Sequence, residues 1–316
     1  KPLISHPHGL LQSHDIRKIG CTVCHDGQGL ATNKKEAHAN EIHFWEKIRM
    51  QGDLVQANCL RCHHVESLPE QKTLQLGHRL FVENGCRGCH KIGDSGGFLG
   101  PDLTLIGDAS FHLKAPVAHD SKEVIGKFNH NVNLAYLFES VKEPTANAED
   151  SKMIDNHFSD EEAFALAVYM KSFQTKTVPD ALQHFDKNIP VASGRDIFLA
   201  HCSACHGSEG QGAPLVETDK LGPSLANEAF QSIATAKFVK AMVTDPGSSI
   251  MPAWGKSGGL SEKEIDKVAE YVLSMKKLPE EKDGDAGYVG NPKFGKIRFE
   301  SRCAGCHGID GNYEMD

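Results

Sequence analysis

The sequence predicts a mainly α-helical chain divided into several small domains, and three observations predict it. All ten cysteines of the 316 residues fall in five copies of Cys-x-x-Cys-His. Short segments of the form Gly-x-x-x-Phe recur ahead of three of those copies. Two Ser-x-x-Glu capping boxes open apolar patterns of helical period further along the chain.

The five motifs are Cys21/Cys24/His25, Cys59/Cys62/His63, Cys86/Cys89/His90, Cys202/Cys205/His206 and Cys303/Cys306/His307. That spacing reads as c-type haem attachment, in which two thiols bond to the porphyrin edge and the following histidine ligates iron. With no cysteine left over, five covalently bound haem c groups are expected. Length alone suggests about two domains, but only 7% of the residues are aromatic. Side chains alone would make thin cores, and each covalent haem supplies apolar surface around which a small domain can form.

The recurrences set the organisation. Gly77 to Phe81 precedes Cys86, Gly194 to Phe198 precedes Cys202, and Gly295 to Phe299 precedes Cys303, each as a short amphipathic helix. After the motif, Leu99-Gly100-Pro101-Asp102-Leu103 matches Leu221-Gly222-Pro223-Ser224-Leu225. The boxes Ser159–Glu162 and Ser261–Glu264 then start closing helices. The second of these carries Ile265, Val268, Ala269, Val272 and Leu273 at helical spacing, with Tyr271 matching Tyr169.

Helix, haem motif, Gly-Pro loop, methionine and closing helix, in that order, resemble class I cytochrome c. The resemblance covers residues 71–175 and 190–278 and begins a third time at 291–316. It implies Met251, in Met251-Pro252-Ala253-Trp254, as the sixth ligand of the haem at His206. It implies Met153 for the haem at His90, although Met153-Ile154 departs from the usual Met-Pro and residues 107–131 read as a loop insertion. Linkers at 174–193 and 278–292 carry prolines and separate the units. The third copy stops at Asp316 before any Gly-Pro loop, so continuation of the chain is expected. Met315 stands too near His307 to close that iron comfortably.

Residues 1–70 differ. They hold two haem motifs, no capped closing helix, and His6, His8, His14, His38, His43 and His64. This density resembles compact multihaem cytochromes with two histidines on each iron and little regular structure. On that resemblance His14 is expected to ligate the haem at His25 and His43 the haem at His63, with His38 and His8 as substitutes. His64 forms a Cys-His-His sequence, which in some such proteins serves a neighbouring haem. Met50 lacks class I surroundings. His112, His119, His130, His157 and His201 are expected on polar surface, Met170 and Met275 in the core, and Trp254 near a haem face.

Formal charge is −8, from 34 basic and 42 acidic residues. That balance argues against nucleic acid as a partner and favours redox proteins with basic docking patches. No apolar run approaches the ~20 residues of a spanning helix. The chain begins at Lys1, and because covalent haem attachment takes place outside the cytoplasm, a removed secretion signal or anchor is expected. Thioether ligation raises haem potential relative to two histidines. The expected function is therefore electron transfer from low-potential N-terminal haems to higher-potential His/Met haems. The setting would be a periplasmic or otherwise extracytoplasmic one, beside a quinol-oxidising complex or a terminal reductase. The competing expectation is a peroxidase- or reductase-like enzyme with one five-coordinate haem, and the weakest is a structural role for the haems.

Overall fold

The computed structural model describes residues 6, 9–29, 31–33, 36–37, 48–109, 128, 131–175, 192–212, 222–247 and 251–275. Within them the chain is mainly helical, as predicted, with one antiparallel hairpin of Lys91–Ile92 against Ser95–Gly96. The expected third copy at 291–316 lies outside the described residues, with Cys303, Cys306, His307 and Met315. So do His43, His38, His8, His112, His119 and His130.

Two repeated units are built alike. A leading helix (Lys72–Glu83, then Gly194–His201) crosses a closing helix (Asp160–Lys171, then Glu262–Ser274). The predicted boxes start the closing helices. Ser159 and Ser261 each accept from the backbone N–H of the glutamate three residues on, and that glutamate accepts from the serine N–H. Such a cap is worth about 1 kcal/mol. A third box, Ser193 with Asp196, opens the second leading helix; its aspartate, in place of glutamate, kept it out of the Ser-x-x-Glu pattern.

Glycines allow the crossing. A Cβ on Gly77 would fall inside the Ala165 carbonyl, and one on Gly194 inside the Lys267 carbonyl, so the helix backbones touch at both sites. Four residues on, Phe81 meets Tyr169 at 5.4 Å between ring centres, and Phe198 meets Tyr271 at 5.5 Å. The repeat visible in sequence is thus a repeat of contact.

Each unit has its own core. The second is built on Ile197, Phe198, Val239, Trp254, Ile265, Val268 and Val272, which includes the predicted face of the closing helix. The first joins Leu80, Phe81, Leu166 and Val168 to Leu134 and Phe138 from a helix at Val132–Lys142, capped by Asn131. The sequence reading did not anticipate that helix. This core also takes in Met50, Leu54 and Ala57. Apolar burial therefore runs through the boundary expected at residue 70.

The described residues of the N-terminal stretch include the four-residue helices Leu10–Ser13, Ile16–Ile19 and Thr22–His25 and a 3-10 stretch at Gly52–Arg61. A buried polar cluster holds it together. Arg61 Nη2 lies 2.7 Å from Asp26 Oδ1 and donates to Gln174 Oε1 at 2.9 Å, and its Nη1 donates to the Val23 carbonyl at 2.8 Å. Gln174 Nε2 donates to Asn58 Oδ1 at 2.7 Å, and Asn58 Nδ2 to the Cys24 carbonyl at 2.9 Å. One cluster thereby joins the first motif, the second motif and the end of the first closing helix. Among the described residues no helix is long and apolar enough to cross a membrane.

Candidate haem-attachment sites

In the two repeated units the motif follows directly from the leading helix as a short turn, at Cys86–Cys89 and Ser203–His206. The recurrent Leu-Gly-Pro segment then folds over the histidine. His90 Nδ1 lies 2.9 Å from the Pro101 carbonyl oxygen, and His206 Nδ1 lies 2.9 Å from the Pro223 carbonyl oxygen. A carbonyl only accepts, so Nδ1 carries the proton and the Nε2 lone pair is left for a metal. The preceding glycine permits this approach: a Cβ on Gly222 would stand 2.7 Å from the Cys205 carbonyl and 2.8 Å from His206 Nδ1. Burial lowers the pKa of both histidines and keeps them neutral, the form that ligates.

The first motif obeys the same rule by another route. His25 Nδ1 lies 3.0 Å from the Met50 carbonyl oxygen, while the Met50 N–H donates to the His25 carbonyl at 2.7 Å. Met50 thus serves through its backbone, with its side chain 1% exposed in the core. No feature of the sequence marked it for that task.

The thiols fit thioether linkage. Burial pushes Cys86 and Cys202 up to about 12, and burial together with Cys24 pushes Cys59 up to about 11. An uncharged thioether suits surroundings in which a thiolate is disfavoured. In the chain that follows His90 the apolar side chains of Phe98, Leu99 and Leu105 are about half exposed. A planar apolar macrocycle held by the adjacent cysteines would cover such a surface. The donor set and its surroundings therefore fit haem c.

Two pairs of motifs adjoin. Burial first and then the neighbouring thiol raise both pKa values, Cys24 acting on Cys59 and Cys62 on Cys24, so the first two motifs are close neighbours. In the repeated units the Cys89 and Cys205 thiols are neighbours: the interaction with Cys205 holds Cys89 down to about 7, and that with Cys89 pushes Cys205 up. The Gly96 N–H donates to the Gly258 carbonyl at 3.2 Å across the same junction, and Ser95 Oγ lies 3.3 Å from His201 Nε2. His201 was expected on polar surface. Instead its ring stands edge-on to Trp254 at 5.2 Å, its Nδ1 meets the Ile197 carbonyl at 3.1 Å, and burial drives its pKa down to about 4. His157, by contrast, is exposed and lies 3.1 Å from Asp155.

The remaining ligand candidates fall out as follows. Met251 is half-buried against the second core, and Met153 is 36% exposed ahead of the capped closing helix. Met170 is buried in the first core and Met275 lines the second. The ring that His14 faces is that of His63, at 5.8 Å between centres, whereas His25 is faced by His6, also at 5.8 Å. The expected partnership of His14 with His25 is not the one these rings make. His6 stood among six histidines of the stretch, and nothing in the sequence ranked it above the others.

Comparison with known proteins agrees with this geometry. The family model for cytochrome c matches residues 74–174, and that for cytochrome C oxidase, cbb3-type, subunit III, matches 190–272. The cbb3-type cytochrome c oxidase subunit CcoP of Azospirillum sp. (strain B510) is 32% identical over 157 residues, 45% of this chain and 48% of that protein. Subunit FixP of Bradyrhizobium diazoefficiens is 37% identical over 130 residues, 39% of this chain and 42% of that protein. The chain thus spans about half the length of these curated relatives. Cytochrome c-554(547) of Halothiobacillus neapolitanus is 30% identical over 92 residues, 27% of this chain and 97% of that protein. No solved structure matches. The chain belongs to the cytochrome c family. Membership implies covalently bound haem c and a part in electron transfer.

Proposed function

We propose that the chain carries five haem c groups and acts as a multihaem electron-transfer cytochrome. Electrons enter at a bis-histidine N-terminal pair and leave at higher potential through the His/Met domains. The observation that carries this reading is the use of every cysteine in Cys-x-x-Cys-His, with His25, His90 and His206 each turned by a backbone carbonyl to present Nε2. When bound, haem supplies one-electron chemistry between ferrous and ferric iron.

The protein's own residues do the rest. Cys21, Cys24, Cys59, Cys62, Cys86, Cys89, Cys202, Cys205, Cys303 and Cys306 anchor; His25, His63, His90, His206 and His307 ligate; Met153 and Met251 set high potentials. The contact of Cys89 with Cys205 supports rapid passage between the two class I domains. Relatives named as subunits of cbb3-type cytochrome c oxidase support a place in, or beside, a membrane-bound respiratory complex. An extracytoplasmic location follows from that role.

Intact mass and a spectroscopic redox titration of the complete protein test the reading. The expected result is the mass of five haems and at least two groups of potentials, with methionine-ligated iron in the higher group. Bare polypeptide mass would overturn it. High-spin ferric iron in the complete protein would favour a haem enzyme instead.

A further inference from the structure

We infer that one short N-terminal segment supplies both distal ligands of the first two haems, with His6 closing the iron at His25 and His14 closing the iron at His63. The inference rests on the haem reading above and assigns ligands that the motifs alone leave open.

The separation comes first. Two imidazoles on opposite faces of one metal ion, each at the ~2 Å metal–nitrogen distance, place their ring centres roughly 6 Å apart. His6 and His25 stand at 5.8 Å, and so do His14 and His63. Two histidines eight residues apart thus meet two motif histidines at the same spacing.

The proton pattern agrees. His14 Nδ1 lies 2.8 Å from the Leu10 carbonyl oxygen, so it carries the proton and Nε2 keeps its lone pair. This is the arrangement of His25, His90 and His206, now on the distal side. His6 Nδ1 is buried with no hydrogen-bond partner among the described residues. Coordination through Nδ1 would satisfy it, which sets His6 apart from His14, His25, His90 and His206, whose Nδ1 faces a carbonyl.

The local backbone explains how the segment reaches both sites. Gly9, at φ 89°, turns the chain between the two histidines, and the single-turn helix Leu10–Ser13 brings His14 to its end. Asp15 then caps the next helix and is clasped by Arg17 at 2.8 and 2.9 Å, fixing the exit. The ring planes meet at 88° for His6/His25 and 73° for His14/His63. Near-perpendicular axial imidazoles leave the two iron orbitals of π symmetry nearly degenerate, which makes the ferric low-spin EPR signal strongly anisotropic.

Ferric spin state in the full-length holoprotein tests the assignment. His6→Ala and His14→Ala should each convert one haem to high spin, and added imidazole should restore low spin. Repeating both in a Cys21→Ala/Cys24→Ala background, which lacks the first haem, separates the pairings. There His6→Ala should change nothing further, while His14→Ala should still generate one high-spin haem. If an alanine variant fails to mature, His6→Met and His14→Met replace it, each expected to raise one potential. Uniformly low-spin iron in His6→Ala, or unchanged potentials in His6→Met, would overturn the inference. So would loss of the His14→Ala effect in the double-cysteine background. Bare polypeptide mass in the unsubstituted protein would instead sink the haem reading itself.

Discussion

Arg61 and Asp26 form an ion pair in the protein interior, Nη2 to Oδ1 at 2.7 Å, with side chains only 5% and 4% exposed. Arg61 stands between the two cysteines of the second motif, and Asp26 directly follows the histidine of the first. The pair therefore ties one Cys-x-x-Cys-His motif to the other. A buried charge left without its partner is strongly destabilising.

Arg61→Ala should accordingly lower stability by about 3–5 kcal/mol, because Asp26 is left charged and desolvated. Removing both charges together, as Arg61→Met/Asp26→Ala, should cost less than the sum of the singles. Denaturant unfolding of the holoprotein, arranged as a double-mutant cycle, measures the difference. Equal additive losses would show that the two side chains do not act as a unit.

Gly194→Ala adds a Cβ where the Lys267 carbonyl already stands, and Gly77→Ala does the same against Ala165. Both obstacles are backbone, so the helices must separate. Each substitution should destabilise its own domain by about 1–3 kcal/mol, against the usual gain from replacing a helical glycine. Thermal unfolding followed at each domain's haem absorbance checks this, and a stabilised variant would refute the close crossing.

His201 should make the contact between the two repeated units sensitive to acid. Burial lowers its pKa from 6.5 to about 4. The unfolded chain then binds a proton that the folded one resists, so stability is complete above about pH 6.5. It is lost as pH falls toward 4, by on the order of 2–3 kcal/mol. His201→Gln should flatten that part of the stability–pH curve, measured by denaturation at pH 7 and at pH 4.5.

Met251→His should lower the potential of one haem, that at His206, by on the order of 0.1–0.3 V within the ~0.8 V that axial ligands span. The haem should stay attached, since Cys202 and Cys205 are untouched. A redox titration that does not move would remove Met251 from the ligand set.

The features legible in the sequence were those written in short-range patterns. The Ser159 and Ser261 boxes and the leading helices ahead of Cys86 and Cys202 each depend on residues a few positions apart, and the structure forms them. What escaped is long in range. Gln174 reaches Arg61 across 113 positions, and Arg61 reaches Asp26 across 35. Neither sets up a periodicity. His201 was unreadable for a related reason: it faces Ser95, on the other side of the linker, and a histidine beside a motif carries no mark of what it will touch. The N-terminal histidines posed a matching problem, where composition names the candidates and only folding pairs them.

Met50 links the first motif to a core assembled from distant parts of the chain. Its carbonyl orients His25, yet its side chain belongs to a core that residues as late as Met170 complete. Loosening that core would release the Met50 carbonyl along with its side chain. The tautomer of His25 is thus set by helices that lie far along the chain from it.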